Sequence, residues 1–502
     1  MSAPGGTGSH LTAGRRIREL AAASEQVVDV LVIGGGVTGC GVALDAASRG
    51  LSVTLVEKDD LAHGTSRWSS KLVHGGLRYL ASGEVALVWE SAREREILLR
   101  RTAPHLVRPL PMVIPLSADV RPRDGLLIDV GQRVADGFRF AAGTPRAALP
   151  RPRRIGVAET TRLLPGVRQA GLRGALLGWD GQLEDDARLV VALARTAAAH
   201  GASVLTRVRV LRADGSGADA RDELTGQTLR LRARQVVNAT GAWADQLAPE
   251  TGLRPSKGVH VVLAAATLGH PCAAMTVPVP GEANRFVFAL PHPDGLVYVG
   301  LTDDPIDGPL PEVPVAAETE ISFLLDVLSR GLERPLQRSD VVGSFAGVRP
   351  LLAGKDDRTA DLSRKHAVLQ GENGLWTVLG GKLTTYRRMA QDVVDRLTDA
   401  PCRTTDLPLV GAGPVSSAAP ARLVRRYGAE ADQVAALAAH DPRLLEPVAP
   451  GLPVLGVELA WGVLAEGALD AQDLLERRTR LSLVDAWCEA ARPAAEALFA
   501  PP

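Results

Sequence analysis

Three glycines and one carboxylate near the N-terminus have the types and spacing of a dinucleotide-binding site. Gly34, Gly36 and Gly39 fit GxGxxG, a pattern that allows a tight turn, close approach of the backbone to a pyrophosphate, and close packing of a helix on a strand. Glu57 comes 23 positions after Gly34, near the roughly 20 expected for a carboxylate that binds the adenosine ribose. The unit predicts dinucleotide binding and leaves nicotinamide and flavin cofactors both open. A glycine-rich turn in an ordinary α/β core is the alternative.

The residues around these glycines predict the strand, helix and second strand that position them. Residues 30–33 are aliphatic and β-branched, as in a strand buried on both faces. Residues 38–49 have helical spacing, and residues 52–56 form a second apolar run. A helix that begins at the glycine turn presents unpaired N–H groups to an anion.

Two later strands are predicted to end in small residues, which suits a backbone that approaches a cofactor. Residues 235–239 run into ATGAW, and residues 376–379 run into GGK. Other predicted elements are helices at 85–99, 185–200 and 318–330, a strand at 203–211 and a hairpin of 285–290 with 296–301. Residues 121–178 are arginine-rich and weakly patterned, and the chain beyond Pro401 is predicted to be helical.

Composition limits the class of protein. A chain of 502 residues is too long for one core and suggests two or three domains. Lys plus Arg and Asp plus Glu are 57 each, so no overall field favours nucleic acid or an anionic membrane. The four scattered cysteines fit a reducing compartment and no metal site. Residues 1–24 lack the apolar stretch of a signal peptide, and prolines interrupt the uncharged segment 258–281, which we therefore do not interpret as a membrane span.

Several separate motifs resemble the FAD-dependent glycerol-3-phosphate dehydrogenases. They occur in the family's order and cover most of residues 27–398. These motifs are GTSRWSSKLVHGGLRYL, APHL, DDARL, VNATGAW, SKGVHVV, GVRPLLAG, LSRKHAV and GGKLTTYR. The segment AWGVLAEGALDAQDLLERRTRL resembles the family's C-terminal helical domain.

The resemblance implies an α/β fold with three parts. The first is a discontinuous Rossmann-like FAD-binding domain of the glutathione-reductase/D-amino-acid-oxidase type, expected at 25–115, 180–255 and 345–398. The second is a β-rich substrate-binding domain at 116–179 and 256–344. A C-terminal helical domain at 399–502 completes the chain, and residues 1–24 are expected to be a flexible N-terminus.

The resemblance also implies a reaction. In this family sn-glycerol 3-phosphate is oxidised to dihydroxyacetone phosphate by hydride transfer from C2 to flavin N5, and the electrons pass to a membrane quinone. We therefore expect FAD as cofactor and a cytoplasmic protein that is peripheral on the inner face of the cell membrane. A homodimer is left open, as is the identity of the quinone.

The positions that form the substrate site in this family match specific residues of this chain. Arg78, Arg349 and Arg364 are expected to bind the substrate phosphate, with Tyr79 beside the first, because guanidinium groups bind phosphate oxygens bidentately. His260 is expected near the substrate, either as general base or as a residue that only hydrogen-bonds the substrate hydroxyl or the flavin. Arg349 is also expected to act in catalysis. Lys382 is expected to stabilise negative charge that develops on the reduced flavin, or to hold the substrate.

The predicted FAD-binding residues come from the glycine turn, the 65–75 segment and the two later junctions. They are Gly34, Gly35, Gly36, Thr38, Gly39, Glu57, Lys58, Thr65, Ser66, Ser69, Ser70, Lys71, His74, Gly75, Ala239, Thr240, Gly241, Gly381, Lys382, Leu383 and Thr384.

Some positions depart from the family's pattern. Trp68 stands where a small residue or an arginine is commoner, the segment 292–295 lacks a tryptophan that is often present, and residues 121–150 match poorly.

Three other functions remain open: a glycerol-3-phosphate oxidase that uses molecular oxygen, a flavin amine or amino-acid oxidase, and a non-catalytic flavin-binding module.

Overall fold

A computed structural model describes residues 7–76, 80, 83–118, 120–249, 252–282, 285–352, 365–415 and 418–500. In these residues the strands are β1 (Val27–Ile33), β2 (Val53–Val56), β3 (Leu72–Val73), β4 (Val107–Pro115), β5 (Arg153–Ile155), β6 (Ala175–Leu183), β7 (Ser203–Leu205), β8 (Val208–Asp214), β9 (Gly217–Asp222), β10 (Thr228–Asn238), β11 (Ser256–Ala264), β12 (Ala274–Pro278), β13 (Phe286–Pro291), β14 (Leu296–Gly300), β15 (Asp304–Pro305), β16 (Val341–Arg349), β17 (His366–Gln370) and β18 (Trp376–Gly380).

The α-helices of the described residues are named in the same order. They are α1 (Ala13–Glu25), α2 (Val37–Ser48), α3 (Val85–Ile97), α4 (Pro122–Ala141), α5 (Val157–Leu163), α6 (Asp186–Ala199), α7 (Glu318–Ser329), α8 (Tyr386–Val394), α9 (Ala421–Tyr427), α10 (Ala431–Ala436), α11 (Gly456–Ala465), α12 (Ala471–Asp473) and α13 (Asp485–Glu496).

The first sheet contains the two strands of the predicted strand–helix–strand unit. Its main order is β17-β18-β10-β1-β2-β7, with β8 and β9 attached beyond β10. Strand β1 pairs in parallel with both β2 and β10, and α2 packs against α6 and α8. Leu31 and Val32 of β1 are fully buried, as expected of a parallel strand that is covered on both faces.

The second sheet has the order β15-β11-β14-β13-β12-β4-β6-β3, with β16 pairing to β11 and β5 to β6. Strand β11 lies between β14 and β16, so that His260 is opposite Gly300 on one side and Phe345 on the other. The antiparallel β13–β14 pair is the predicted hairpin. The uncharged segment 258–281 contributes to strands β11 and β12, and none of the described helices is long and apolar enough to cross a bilayer.

Three expectations about the chain need correction, and one helix was not expected. Residues 13–25, expected to be flexible, form α1, whose Arg16 is buried against Thr206 and Asp222. Strands β3 and β4 pair in the second sheet rather than the first, although we placed residues up to 115 with the first. The strand expected at 203–211 is two strands, since Arg207 between them has a positive φ of 58°. Residues 122–141 form a long helix that the sequence did not predict.

Buried ion pairs connect the C-terminal helices to the loop after β2 and to α6. Asp60 accepts hydrogen bonds from Arg477 at 2.6 Å and from Arg478 at 2.8 and 2.9 Å. Arg188 of α6 donates two hydrogen bonds to Glu466 at 2.8 and 2.7 Å. All five side chains are almost completely buried, so each charge depends on its partner.

Candidate active site

The turn after β1 requires glycine because there is no room for a side chain at Gly34 or Gly39. A Cβ on Gly34, whose φ is +111°, would lie 2.7 Å from the carbonyl oxygen of Ala239. A Cβ on Gly39 would lie 1.9 Å from the carbonyl oxygen of Gly34. The ends of β1 and β10 and the start of α2 therefore meet backbone to backbone, as the spacing of the motif predicts.

Glu57 is held in place at the carboxyl end of β2. Its Oε2 accepts a hydrogen bond from Gly35 N at 2.6 Å, and its Oε1 accepts one from Asp59 N at 3.0 Å. Burial raises the pKa of this carboxyl, although both hydrogen bonds act in the opposite direction. The neighbouring Lys58 pairs with Glu312 at 2.9 Å.

A cavity of about 2130 Å³ connects Glu57 with His260 and Arg349. This exceeds the 300–1,000 Å³ typical of pockets for small ligands and suits a long ligand together with a substrate. The predicted residues that line it are Gly34, Gly36, Thr38, Glu57, Lys58, Thr65, Ser66, Ser69, Ser70, His74, Gly75, Ala239, Thr240, Gly241, His260, Arg349, Gly381, Lys382, Leu383 and Thr384.

The 65–75 segment forms one wall of this cavity and is anchored to several elements. The Thr65 hydroxyl donates to the Val348 carbonyl at 2.5 Å, and Ser66 Oγ accepts from Val37 N at 2.9 Å. Ser69 donates from its N–H and its hydroxyl to Asp186 Oδ2 at 2.9 and 2.8 Å. The segment is thereby fixed to strand β16 of the second sheet and to the starts of helices α2 and α6.

Three predicted cofactor-binding residues do not line the cavity. Gly35 and Gly39 face Glu57 and Gly34 in close packing. Lys71 is buried, with its Nζ 3.2 Å from Asp186 Oδ2 and 4.5 Å from the centre of the Phe345 ring. Burial lowers the pKa of Lys71 to about 8 even though Asp186 opposes the shift. Gly35 and Gly39 therefore serve the close packing of the glycine turn, and Lys71 lies behind the wall of the cavity.

His260 projects from β11 toward the cavity and is 1% exposed. Its Nε2 lies 2.9 Å from Ser70 Oγ, while Nδ1 is buried and has no hydrogen-bond partner among the described residues. The imidazole stacks on Phe345 with ring centres 4.6 Å apart. Burial, assisted by the nearby charges of Lys71 and Arg349, holds the pKa of His260 well below its usual 6.5. The imidazole is therefore neutral near neutral pH.

Arg349 ends β16 beside His260. Its Nη1 donates to Asp303 Oδ1 at 2.7 Å and to Ser256 Oγ at 3.3 Å, and its Nη2 donates to the Thr302 carbonyl at 2.8 Å. A Cβ on Gly258 would lie 1.9 Å from Nη2. The absence of a side chain at Gly258 therefore makes room for the guanidinium.

Lys382 lies at the junction of β18 and α8, as predicted. Its Nζ donates to Ser91 Oγ of α3 at 2.9 Å. Gly380 and Gly381 before it have φ values of +70° and +81°, which glycine adopts readily. Arg78, Tyr79 and Arg364, predicted to bind substrate, lie outside the described residues.

Comparison with known proteins identifies the family. Residues 29–387 match the family described as FAD dependent oxidoreductase, and residues 377–500 match the C-terminal domain of alpha-glycerophosphate oxidase. The chain is 50% identical to glycerol-3-phosphate dehydrogenase 1 of Mycobacterium tuberculosis, over 94% of this chain and 95% of that protein. The chain belongs to the FAD-dependent glycerol-3-phosphate dehydrogenase family. Its resemblance to that family and its expected cofactor, FAD, are thus confirmed.

Other relatives agree with this family. Glycerol-3-phosphate dehydrogenase 2 of Mycobacterium tuberculosis is 39% identical, over 91% of this chain and 81% of that protein. The solved structure of the glycerol-3-phosphate dehydrogenase from Bacillus halodurans complexed with FAD has a TM-score of 0.74 and 28% identity, over 97% of this chain and 94% of that chain. The expected fold class, with its FAD-binding fold, β-rich part and C-terminal helices, is confirmed.

The cavity fits the FAD of this dehydrogenase family. A pyrophosphate can approach the backbone because positions 34 and 36 carry no side chain, and the start of α2 adds its positive end. The Glu57 carboxylate is held where the ribose of a dinucleotide is expected. The residues that would hold FAD are therefore the glycine turn, the start of α2, Glu57 and the wall around Ser66.

Sequence reasoning missed the groups that orient Arg349. Thr302 and Asp303 lie two and three positions after the end of strand β14. The acidic pair Asp303-Asp304 just after an apolar run was the available signal. Ser256 was quoted within SKGVHVV but was not singled out. Trp68, noted only as a departure from the pattern, also lines the cavity and stacks with Phe345 at 5.7 Å between ring centres.

Proposed function

We propose that this protein oxidises sn-glycerol 3-phosphate to dihydroxyacetone phosphate and passes the electrons to a membrane quinone. The observation that carries the proposal is that His260 and Arg349 line the same cavity as Glu57. Gly258 and His260 are two positions apart on one face of β11, so the guanidinium over Gly258 lies beside the imidazole. A base beside a phosphate-binding cation matches a phosphorylated alcohol.

Arg349 is proposed to bind the phosphate. A phosphomonoester carries nearly two negative charges, and the guanidinium stays charged at any working pH. Asp303, Ser256 and Thr302 hold the plane of the guanidinium, so its direction is fixed before substrate arrives. Arg78, Tyr79 and Arg364 are proposed to complete the phosphate site on the strength of the family motifs alone.

His260 is proposed to take the proton of the C2 hydroxyl. A neutral imidazole can accept this proton, and its lowered pKa keeps it neutral near neutral pH. Ser70 orients the ring through its hydrogen bond to Nε2. When bound, FAD supplies the acceptor for the C2 hydride. Lys382, held by Ser91, is proposed to stabilise the negative charge that builds up in the site.

Anaerobic addition of sn-glycerol 3-phosphate to the purified holoenzyme tests substrate and cofactor together. We expect the flavin absorbance to bleach, and glycerol without phosphate to leave it unchanged. Bleaching by glycine or proline instead would favour an amino-acid oxidase. A flavin that none of these compounds bleaches would indicate a non-catalytic flavin-binding module.

The electron acceptor needs a separate measurement. The second candidate is a glycerol-3-phosphate oxidase, which the match of residues 377–500 to a domain described from such an enzyme favours. We expect the bleached flavin to be reoxidised faster by a soluble quinone than by oxygen. Stoichiometric hydrogen peroxide at a rate equal to turnover would contradict the quinone proposal. Because a membrane quinone is the proposed electron acceptor, we also propose that the protein is peripherally attached at the inner face of the cell membrane.

A further inference from the structure

The ammonium of Lys71 closes a loop of the chain behind the wall of the cavity. Its Nζ donates to the Ser69 carbonyl at 3.1 Å, to the Arg67 carbonyl at 3.4 Å and to Asp186 Oδ2 at 3.2 Å. These three acceptors match the three N–H groups of an ammonium. Lys71 is 2% exposed, so its charge depends on these partners. Segment 67–71 is thus held in shape by one of its own side chains.

The backbone at Lys71 also adopts an uncommon conformation. Its φ is +54°, in the left-handed region that residues other than glycine rarely occupy. Such a conformation persists where surrounding contacts hold it, and it occurs often at functional sites. Here Lys71 N donates to Ser69 Oγ at 3.0 Å, and Leu183 N donates to the Lys71 carbonyl at 2.8 Å. The loop is therefore fixed at its backbone as well as at its ammonium.

Asp186 holds the same loop from the start of helix α6. Its Oδ2 accepts hydrogen bonds from the N–H and the hydroxyl of Ser69 as well as from the Lys71 ammonium. Its Oδ1 accepts from Ala187 N at 3.0 Å. The carboxylate is completely buried. Both neighbours of Ser70 in the chain are therefore anchored to one buried oxygen.

Two contacts connect this loop to His260. Ser70 Oγ lies 2.9 Å from Nε2 of the imidazole. The imidazole stacks on the Phe345 ring with 13° between the two planes, and the Lys71 ammonium lies 4.5 Å from the centre of the same ring, within the range of a cation–π contact. Lys71 is thus joined to the proposed base through its neighbour in the chain and through the ring on which the base stacks.

Several charged or ionisable groups surround His260 and Phe345. Those from the neighbouring elements are Lys71, Asp186, Tyr298, Asp303, Arg349 and Arg480. Asp303 pairs with Arg349, and burial keeps the pKa of Tyr298 well above 10, so its phenol is neutral. Besides burial, the charges of Lys71 and then Arg349 lower the pKa of His260, and that of Asp186 raises it.

We propose that Lys71 and Asp186 are positioning residues for His260, because they hold Ser70 against the imidazole and Lys71 keeps a positive charge beside it. The proposal rests on the proposed function only in taking His260 as the base. A positive charge at this place disfavours the protonated imidazole, so the base is free to accept a proton when substrate arrives. With a pKa of about 8, set by burial against the opposing effect of Asp186, Lys71 still carries its charge at the lower pH where His260 is protonated.

Anaerobic stopped-flow reduction of the holoenzyme by sn-glycerol 3-phosphate, measured across pH, tests the proposal. K71M removes the charge and the three hydrogen bonds and keeps an unbranched side chain. We expect the plateau rate of flavin reduction to fall by about tenfold or more, as for a misplaced catalytic group, with wild-type flavin content. We also expect the decrease in rate on acidification to occur at a higher pH than in wild type, because a positive neighbour of His260 is gone.

A charge-balanced variant, K71M/D186N, is measured in parallel, because K71M leaves the buried Asp186 carboxylate without its ammonium. Replacing both partners of a buried pair by neutral residues is often tolerated. Its decrease in rate should occur at a pH between those of wild type and K71M, since Asp186 acts on His260 in the opposite direction to Lys71 and more weakly. R195M/E430Q is the matched control: it removes the buried Arg195–Glu430 pair of α6, which does not line the cavity, and it should leave the rate and the pH profile unchanged.

Histidine-ring NMR of the holoenzyme measures the same charge effect without substrate, with the His260 signal assigned by its loss in H260N. We expect this signal to titrate at a higher pH in K71M than in wild type. An unchanged titration together with wild-type reduction rates in K71M and K71M/D186N would overturn the proposal. A lower melting temperature with an unchanged pH profile would also overturn it, because Lys71 would then serve the fold alone. A shifted titration in an enzyme whose flavin sn-glycerol 3-phosphate does not bleach would support this proposal and contradict the proposed function.

Discussion

The hydroxyl of Ser70 lies 2.9 Å from Nε2 of His260, although 190 positions separate the two residues in the chain. Ser70 precedes the short strand β3, and His260 lies in the middle of β11 at the other side of the same sheet. The contact fixes the orientation of the imidazole ring of the proposed base. It also links segment 65–75, which is proposed to bind FAD, to the proposed base.

Replacing His260 by asparagine should slow flavin reduction by about 10²–10⁴-fold, the range for loss of a general base. Because the pKa of His260 is lowered, the wild-type rate should fall only at a pH below the usual 6.5, and H260N should lose this fall. Stopped-flow absorbance under anaerobic conditions across pH measures both effects. S70A should slow the same step less, since the base remains but loses its orientation. An unchanged rate and pH profile in H260N would leave His260 with no proton-transfer role.

Replacing Arg349 by lysine should raise the KM for sn-glycerol 3-phosphate at least tenfold with little change in bound flavin. The ammonium keeps the positive charge but loses the planar fork that Asp303 and Thr302 orient. Steady-state kinetics with a soluble quinone, together with the flavin-to-protein absorbance ratio, measures this. D303N should give a smaller increase of the same kind. An R349K enzyme with wild-type KM would place the phosphate elsewhere.

The sequence predicted the local parts of this site well. The glycine turn, the strand before it and the carboxylate after β2 depend on residues within about one βαβ unit, and their packing reproduces the expected geometry. His260 and Arg349, which also line the cavity, were identified from family motifs and not from a local sequence pattern. Their mutual placement follows from the pairing of β11 with β16, which no local pattern encodes.

The sequence failed where distant pairing or an inverted pattern decides the structure. Lys71 looked like a pocket residue because of its motif, but Asp186, 115 positions away, takes its ammonium. Helix α4 was not predicted because Gly125, Gly131 and Gly137 weaken its helix propensity. In addition, its apolar residues face outward, so its pattern does not mark a core-facing side.

Replacing Gly39 by alanine should remove FAD and destabilise the fold. The new Cβ would lie 1.9 Å from the Gly34 carbonyl oxygen, so α2 or the glycine turn must shift. Flavin content after purification and the melting temperature measure the outcome. G137A is the control, since a Cβ at Gly137 meets nothing within 4 Å and alanine favours the helix by roughly 1 kcal/mol. Full flavin content in G39A would contradict the proposed packing role.

Replacing Asp60 by asparagine should loosen the C-terminal helices. Arg478 and Arg477 hold the pKa of this buried carboxyl below its usual range. Its loss takes the paired carboxylate from the buried Arg478, whereas Arg477 keeps its pairs with Asp473 and Glu476. Breaking a buried pair in this way costs about 3–5 kcal/mol. Melting temperature and limited proteolysis beyond residue 470 report the effect. E318Q, which removes the exposed Glu318–Arg338 pair, should change little, and equal effects of the two variants would contradict the argument.

Acidification should destabilise the protein through two half-buried histidines. Burial lowers the pKa of His105 to about 3 and that of His63 to about 4, whereas histidines of the unfolded chain titrate near 6.5. Above pH 6.5 these histidines are neutral in both the folded and the unfolded chain, so they do not lower the free energy of unfolding. As pH falls from 6.5 toward 4, the unfolded chain takes up protons that the folded chain refuses, so the free energy of unfolding decreases by about 1.4 kcal/mol per pH unit for each such histidine.

His105 offers the cleaner test of this pH dependence, because its ring packs against Gly411 and Gly428 and Nδ1 has no partner among the described residues. The melting temperature of H105Q should fall less steeply between pH 6.5 and pH 5 than that of wild type, whatever the starting stability of the variant. H440Q, at an exposed position, is the matched control. Parallel pH profiles for H105Q and wild type would show that His105 gains its proton equally in both states, contrary to the burial seen here.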